Sequence, residues 1–278
     1  MKPVSEQTFF ITGATDGLGK MMAGRLAKQG ARVILHGRNP EKGQAVLAEL
    51  TQTTGNPNLT YFNADFSALQ NVLDLSSAVM AKIEQLDVLI NNAAIGGGPK
   101  SSPIRELSPD GFELKFAINY LAQVLLTQKL LPLLTQAGSR IINVASIGQT
   151  PMDFANLMLD TEYEGYRAYR QSKLALIMYS FDLAESLKAK KVDVNALHPA
   201  SLMNTNMVME NFGRVITTVE EGCDALEYLA TDARLEGVTG KYFEGKKEAK
   251  ALPQAYDEEA RRKLREVTTK MLAQAVQS

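Results

Sequence analysis

A glycine-rich turn near the start of the chain is the feature that most constrains the fold. Residues 8–12 form a short apolar run typical of a buried parallel strand, and residues 18–29 have helical periodicity. The glycines between them allow a tight turn, and the helix directs unpaired N–H groups and its positive end toward one point. The turn is either an ordinary connection or a phosphate site, and its place at the first crossover favours a dinucleotide. The turn reads Thr12-Gly13-Ala14-Thr15-Asp16-Gly17-Leu18-Gly19.

The same alternation of strand and helix continues along the chain. Short connections between alternating elements predict a doubly wound, parallel α/β sheet of about seven strands flanked by helices. Ser108 is the expected N-cap of the longest helix. Further strands are predicted at residues 31–36, 59–63, 86–91, 139–145, 192–198 and 238–243, and helices at 40–50, 67–83, 109–134, 166–190, 218–229 and 257–275.

Composition excludes several classes of partner. The 278 residues carry a net charge of −1, which gives no electrostatic reason to expect nucleic acid or an anionic membrane. One cysteine and two histidines predict neither a disulfide framework nor a metal site. The first residues do not resemble a signal peptide, and the longest apolar stretch, 121–134, is too short and polar to cross a bilayer. We therefore expect a cytoplasmic protein without a membrane span.

A second group of residues can protonate a carbonyl. Ser146 follows a predicted strand, at the sheet edge where ligands bind in this architecture. Tyr169 and Lys173 lie four residues apart on a predicted helix and therefore share a face. A phenol has a pKa of about 10, and a nearby ammonium is expected to lower that pKa toward neutral pH. The alternative is a surface Tyr/Lys pair on an amphipathic helix.

The residues after the second strand distinguish between two dinucleotides. An acid there would bind the ribose hydroxyl of NAD, whereas an arginine would pair with the 2′-phosphate of NADP. The chain has Arg38 and no acid, which predicts NADP(H) in preference to NAD(H); the alternative is a solvated surface arginine. Asp65, after the third strand, is interpreted either as an acceptor for the adenine amino group or as a local helix cap.

Together these motifs resemble the short-chain dehydrogenase/reductase family, in its single-domain branch, over roughly residues 7–245. Asn91-Asn92-Ala93-Ala94 is similar to the family's Asn-Asn-Ala-Gly motif, with Ala94 in place of the usual glycine. The long spacing between Ser146 and Tyr169 is similar to that of the retinol-dehydrogenase-like subgroup. The catalytic tetrad that the resemblance implies is Asn119, Ser146, Tyr169 and Lys173.

The resemblance also implies roles for these residues. Lys173 would bind the nicotinamide ribose, and Asn119 would order water in a proton relay, unless Asn119 only satisfies a local backbone group. Asn91 is expected to support the sheet. The predicted cofactor-binding residues are Gly13, Thr15, Asp16, Gly17, Leu18, Gly19, Arg38, Asp65, Asn92, Ala93, Tyr169, Lys173, Pro199 and Thr205.

The predicted function is hydride transfer between NADP(H) and the carbonyl or alcohol of an apolar small molecule. The predicted units are a Rossmann-type NADP-binding domain over residues 1–250 and a helical tail, 251–278, of the same domain. Residues 147–165 are either a substrate wall or local core, and 201–213 are either a substrate lid or core filling. The long helices resemble those that form dimers or tetramers in the family. The alternative function is a non-catalytic, NADP-sensing or scaffold protein; sugar-nucleotide epimerase or dehydratase chemistry would need a larger C-terminal lobe.

Overall fold

One mixed sheet forms the centre of the molecule. The structure is a computed structural model that describes residues 2–98, 104–134 and 138–277; the predicted domain and tail both include a few residues outside these ranges. In the described residues the strand order is β3-β2-β1-β4-β5-β6-β7-β8, parallel throughout except for the β7–β8 pair. The strands are β1 (Thr8–Ile11), β2 (Arg32–Gly37), β3 (Leu59–Asn63), β4 (Val88–Asn91), β5 (Arg140–Val144), β6 (Asp193–His198), β7 (Lys241–Glu244) and β8 (Lys247–Ala249).

Helices cover both faces of this sheet, which confirms the doubly wound α/β prediction. Phe10 of β1 packs in a core with α3, α4, α5 and α8, whereas its neighbours Phe9 and Ile11 pack in a second core with α1, α2 and α7. Both faces are buried, so the strands are almost continuously apolar. The helices are α1 (Gly17–Lys28), α2 (Pro40–Thr54), α3 (Leu69–Met80), α4 (the consecutive segments Leu114–Phe116, Ala117–Leu121 and Ala122–Leu130), α5 (Gly165–Leu187), α6 (Asn206–Phe212), α7 (Val219–Thr231) and α8 (Glu258–Gln277).

The strand order reverses between β1 and β4, which opens a crevice at the carboxyl ends of these strands. The chain first builds β2 and β3 on one side of β1, then β4 to β8 on the other. The glycine turn follows β1 and the Asn91-Asn92 motif ends β4, so both motifs lie at this crevice.

The start of α4, the short helix α6 and the strand β8 differ from the prediction. The helix predicted over 109–134 begins at Leu114 and not at Pro109, because Ser108 accepts a hydrogen bond within a preceding turn and Glu113 caps the helix through Phe116 N (2.7 Å). The helix then widens into a π-helical turn at Ala117–Leu121. The eighth strand, β8, was not predicted, because an exposed edge strand carries charged residues and lacks an apolar run.

The C-terminal helix packs against the long helices that resemble oligomer-forming helices of the family. Helix α8 packs against α3 and α5, and its Thr268 hydroxyl lies 2.8 Å from the Tyr120 hydroxyl of α4. Arg261 and Arg265 both pair with Asp182 of α5. Oligomer formation stays a prediction. Across the described ranges, none of the helices combines the length and apolar character that crossing a membrane requires.

Candidate active site

The glycine turn brings its own backbone against the end of β4. Gly13 and Gly17 have φ angles of +65° and +46°, in the left-handed region that favours glycine. A Cβ atom on Gly13 would lie 2.9 Å from Ala93 Cα, and one on Gly19 would lie 2.3 Å from the Gly13 carbonyl oxygen. The turn therefore needs glycine for close packing as well as for its backbone angles.

Asn92 shapes this turn from the neighbouring strand. Its side chain donates hydrogen bonds to the carbonyl oxygens of Thr12 (2.9 Å) and Gly13 (3.1 Å). The backbone N–H groups of Asn92 and Ala93 both donate to the Thr12 hydroxyl oxygen at 2.9 Å. These contacts join the ends of β1 and β4. Asn91 lies deeper, where its amide donates to Asn143 Oδ1 (2.7 Å), in keeping with a supporting role in the sheet.

Asp16 connects the turn to two other elements. It caps α1 by accepting from Gly17 N (2.7 Å), and its other oxygen accepts from Lys42 Nζ (2.7 Å) and Asn206 Nδ2 (2.8 Å). Burial acts to raise the pKa of Asp16, but the three hydrogen bonds outweigh burial and lower it. Thr205 also reaches the turn, since its Cγ2 lies 3.0 Å from the position of a Cβ on Gly17.

His36, at the end of β2, is a site residue that sequence reasoning missed. Its ring stacks on Phe66 with 4.2 Å between centroids, and Nε2 lies 3.0 Å from the Ala64 carbonyl oxygen. Gly13 N donates to Nδ1 at 3.4 Å. Burial lowers the pKa of His36 to about 4, so at neutral pH the uncharged ring supports the glycine turn.

Arg38 is exposed in the turn after β2, and Tyr61 holds that turn in place. The Tyr61 hydroxyl lies 2.9 Å from the carbonyl oxygens of both Gly37 and Asn39, on either side of Arg38. Sequence reasoning gave Tyr61 no role, because the contact runs from β3 to the β2 turn. Tyr61 therefore fixes the backbone that carries Arg38, the residue predicted to bind the 2′-phosphate.

The other predicted cofactor residues surround the same crevice. Thr15 packs over Gly37, where an added Cβ would lie 2.5 Å from Thr15 Cγ2. Leu18 is buried in the core, and Pro199 is buried directly after β6. Asp65 accepts from the amide two residues further on (2.9 Å), which supports its interpretation as a local cap; a contact with adenine stays a prediction.

The structure brings Ser146, Tyr169 and Lys173 together. Ser146 follows β5, and the other two side chains lie on the same face of α5. The Ser146 hydroxyl lies close enough to the Tyr169 phenol to act on its pKa. Lys173 Nζ lies 5.7 Å from the centroid of the Tyr169 ring and donates to the Val144 carbonyl oxygen at 2.8 Å. A phenol, a hydroxyl and an ammonium therefore meet at the carboxyl end of β5.

The pKa values in this group differ from the expectation. Burial raises the pKa of Tyr169, and the hydrogen bond with Ser146 only partly offsets that effect. Lys173 does not lower the phenol's pKa as predicted, because its ammonium binds Val144 and burial of the ring dominates. Burial also lowers the pKa of Lys173 to about 8. At neutral pH Tyr169 is therefore protonated and able to act as an acid.

Asn119 lies in the π-helical turn of α4 and is fully buried. Its amide pairs with both backbone groups of Ile95, at 2.8 and 3.0 Å, and donates to the Ser172 hydroxyl at 3.1 Å. Ser172 in turn donates to the Tyr169 carbonyl oxygen (2.7 Å). These contacts support the alternative in which Asn119 satisfies local backbone groups; its place in a water relay stays a prediction.

The apolar residues of 147–165 belong mainly to the core. Met152 and Leu157 are buried in the same cluster as α4 and α5, which supports the local-core interpretation. In the predicted lid, Met203 packs against the second core, whereas Met209 of α6 is 48% exposed. Ile147, beside Ser146, is 54% exposed. Exposed apolar groups therefore follow Ser146 and lie on α6.

Sequence reasoning also missed the groups that hold the Ser146 backbone. The Ser146 carbonyl oxygen accepts from Gln149 Nε2 (3.0 Å) and from the Tyr242 hydroxyl (3.3 Å). The second bond spans 96 residues, so no local pattern reveals it.

Comparison with curated proteins identifies retinol dehydrogenases as relatives. Mouse retinol dehydrogenase 13 is 34% identical over 276 residues, covering 93% of this chain and 81% of that protein. Human polyprenol dehydrogenase is 30% identical over 284 residues, covering 94% of this chain and 84% of that protein. The predicted resemblance to the retinol-dehydrogenase-like subgroup is thus confirmed.

Solved structures have the same architecture. An uncharacterized protein from Mycobacterium paratuberculosis matches with a TM-score of 0.78 at 26% identity, covering 96% of this chain and 94% of that one. The 3-ketoacyl-(acyl-carrier-protein) reductase of Brucella melitensis, solved with NADH, has a TM-score of 0.70 at 25% identity, covering 87% and 97%. The Pseudomonas aeruginosa RhlG/NADP complex has a TM-score of 0.68 at 25% identity, covering 88% and 97%.

The family model for short chain dehydrogenases matches residues 7–215, which include the glycine turn, Ser146, Tyr169 and Lys173. The chain therefore belongs to the short chain dehydrogenase family of oxidoreductases.

Proposed function

We propose that the protein is an NADP(H)-dependent oxidoreductase that interconverts a carbonyl and an alcohol on an apolar small molecule, with Tyr169 as the acid and base. The observation that carries this proposal is the meeting of Ser146, Tyr169 and Lys173 at the carboxyl end of β5. The glycine turn lies at the same edge of the sheet, at the switch point where dinucleotides bind in this architecture.

The residues of the crevice fit a nicotinamide dinucleotide. The backbone at Gly13 and Gly19 lies too close to its neighbours to admit a Cβ, and the N-terminus of α1 directs its N–H groups at the turn. Arg38 is an exposed cation after β2, where an acid would instead select NAD. Solved family members bind NADH or NADP, so Arg38 is the ground for choosing NADP(H) here.

When bound, the reduced nicotinamide supplies a hydride to the carbonyl carbon. The Ser146 hydroxyl donates a hydrogen bond to the carbonyl oxygen and holds it beside Tyr169. The Tyr169 hydroxyl donates its proton to that oxygen as negative charge develops. Lys173 is positively charged below a pH of about 8, and this charge offsets the one that forms on the phenolate.

The apolar class of the substrate rests on two observations. The relatives are named for retinol and polyprenol, alcohols with long apolar chains. In this chain Ile147 and Met209 are exposed, beside Ser146 and on α6 respectively. Apolar side chains at these places would contact an apolar substrate and release water from it.

The test is to measure NADPH and NADH oxidation with retinal, a polyprenal and short aldehydes. We expect faster turnover with NADPH and with the long apolar aldehydes. Tyr169→Phe should lower turnover about 1,000-fold because it removes the proton donor, while stabilisation of the fold by NADPH persists. Tyr228→Phe, on α7, is the matched control and should retain activity.

Full activity in Tyr169→Phe would contradict the proposed mechanism. Absence of turnover in the unmodified protein, together with stabilisation by NADPH, would favour the non-catalytic, NADP-sensing alternative.

A further inference from the structure

Two segments that are far apart in the chain meet beside the catalytic serine. We call residues 146–152 the Ser146 loop and residues 251–256 the C-terminal strap. The Gln254 amide of the strap pairs with both backbone groups of Met152: its Oε1 accepts from Met152 N at 2.7 Å, and its Nε2 donates to Met152 O at 3.1 Å. This pairing fixes the far end of the Ser146 loop.

Gln149 connects the strap to Ser146 itself. Its Oε1 accepts from Leu252 N at 2.8 Å, and its Nε2 donates to the Ser146 carbonyl oxygen at 3.0 Å. The Tyr242 hydroxyl of β7 donates to the same oxygen at 3.3 Å. The position of Ser146 therefore depends on bonds that begin in the strap.

The strap is itself anchored to the helix that carries Tyr169. The Tyr256 hydroxyl accepts from Ala251 N at 3.0 Å, and the Tyr256 ring lies 5.3 Å from that of Phe181 on α5. Ala255 is fully buried. Tyr256 of the strap thus packs against α5, and Gln254 bonds the Ser146 loop. The strap therefore links the Ser146 loop to the helix that carries Tyr169.

The Ser146 loop lacks regular secondary structure, although Met152 at its end is buried in the core. It contains neither helix nor strand, and its local contact at Ser146 Oγ is a hydrogen bond from Gly148 N at 3.0 Å. The Gln254 amide, which bonds both backbone groups of Met152, takes the place of the backbone hydrogen bonds that a helix or strand would provide. Small displacements of a catalytic hydroxyl have large effects on rate, because the reacting groups must keep their geometry.

We propose that Gln254 is a positioning residue for this active site: the C-terminal strap holds the Ser146 loop so that the Ser146 hydroxyl meets the Tyr169 hydroxyl. The strap lies beyond residue 215, where the match to the family model ends. The kinetic part of this inference rests on the proposed function, whereas the geometric part does not.

The test compares Gln254→Ala with Gln70→Ala. Gln70, on α3, also has a bonded amide, which donates to Asp74 at 2.8 Å, and it serves as the matched control. The readout is the ionisation of the Tyr169 phenol in the cofactor-free protein, followed through the tyrosine Cζ resonance and assigned with Tyr169→Phe. The groups that face this phenol are Ser146 from the loop and Lys173 and Tyr166 from α5.

Gln254→Ala should raise the pKa of Tyr169, because the hydrogen bond with Ser146 opposes the effect of burial. It should also lower kcat about 10-fold while leaving the dissociation constant of NADPH unchanged. Gln70→Ala should change none of these quantities. A merely structural role for Gln254 would lower stability without moving the Tyr169 titration.

An unchanged pKa of Tyr169 in folded Gln254→Ala would overturn the inference. If that variant does not fold, Gln149→Met removes the bonds that join Leu252 of the strap to the Ser146 carbonyl oxygen, and is judged by the same titration. If the unmodified protein shows no turnover, the proposed function fails, and the titration in the cofactor-free protein still decides the role of the strap.

Discussion

The glycine turn and the Ser146 loop lie at the same edge of one sheet, yet different interactions hold them. The turn depends first on close backbone packing, since Gly13 and Gly19 admit no Cβ, to which the Asn92 side chain adds two hydrogen bonds. The Ser146 loop is fixed by side chains that bond backbone groups, and its bond between Met152 and Gln254 spans 102 residues.

Because of this difference, the two regions should not tolerate substitutions equally well. A turn held by close backbone packing has no room for any added atom, so even a methyl group is costly. A loop held by side-chain amides loses one or two hydrogen bonds when an amide is removed, at about 1 kcal/mol each. We therefore expect larger effects of conservative substitution at the glycine turn than in the Ser146 loop.

The strongest test of this difference is Gly19→Ala. The added methyl group would lie 2.3 Å from the Gly13 carbonyl oxygen and 2.6 Å from Asn92 Nδ2, so the turn must shift. We expect a loss of about 3 kcal/mol in the free energy of unfolding and NADPH binding at least about 100-fold weaker. Chemical denaturation and a binding titration measure the two effects.

Gly24→Ala, on the same helix, is the matched control. Its methyl group would meet only the flexible Leu50 side chain, at 3.2 Å, and alanine favours helix by about 1 kcal/mol over glycine. We expect near-normal stability and cofactor binding in this variant. Equal losses in the two variants would mean that close packing at Gly19 is not what the turn requires.

The second prediction concerns Lys173 and pH. Its folded-state pKa is about 8, below the ordinary value of 10.5, because burial penalises the charge. Between these two values the unfolded chain binds a proton that the folded protein has released, so stability rises with pH. Lys173→Met removes this penalty and should be more stable than the unmodified protein by about 1–2 kcal/mol at neutral pH.

This advantage should shrink as the pH rises from about 8 to 10.5, while turnover falls about 100-fold throughout. Denaturation curves at neutral and alkaline pH measure the first effect. Lys188→Met, at the exposed end of α5, is the control and should show no such pH dependence. A gap in stability that stays constant across this range would contradict the burial of a charged lysine.

Local patterns in the sequence were sufficient for the parallel strands, the glycine turn and the meeting of Ser146, Tyr169 and Lys173. The apolar runs, the glycines and the four-residue spacing of Tyr169 and Lys173 each describe neighbours in the chain. Strand-helix alternation then places Ser146 at the same edge, because connections in parallel sheets are right-handed and short. The placement of residues that belong to a local sequence pattern was therefore predictable.

The choice of a polar group among several hydrogen-bond partners was not predictable. The prediction that Ser108 caps α4 was wrong, because the Ser108 hydroxyl accepts a hydrogen bond within the preceding turn. Glu113 caps the helix instead. The prediction that Lys173 lowers the pKa of Tyr169 was wrong, because the Lys173 ammonium donates to the Val144 carbonyl oxygen instead of the phenol. In each case a polar group had several possible partners, and only the folded chain selects one of them.

The third prediction returns to the cofactor. Arg38→Asp should weaken NADPH binding about 10-fold more than NADH binding, because it replaces a cation near the 2′-phosphate by an anion. Binding titrations with both cofactors provide the measurement. Arg32→Asp, at the opposite end of β2, makes the same charge change and should affect the two cofactors equally. Equal weakening in Arg38→Asp would assign the 2′-phosphate to another residue.

The smallest effect is expected for Tyr61→Phe, which tests the difference between the two regions within the cofactor site itself. The Tyr61 hydroxyl contacts the carbonyl oxygens on both sides of Arg38, much as Gln149 and Gln254 bond backbone groups of the Ser146 loop. Its loss should cost about 1 kcal/mol and reduce the preference for NADPH over NADH about fivefold, as measured by binding titration. An unchanged preference would mean that backbone packing alone orients Arg38. A reduced preference would mean that side-chain support, and not backbone packing alone, sets the selectivity for the cofactor, as side-chain amides hold the Ser146 loop.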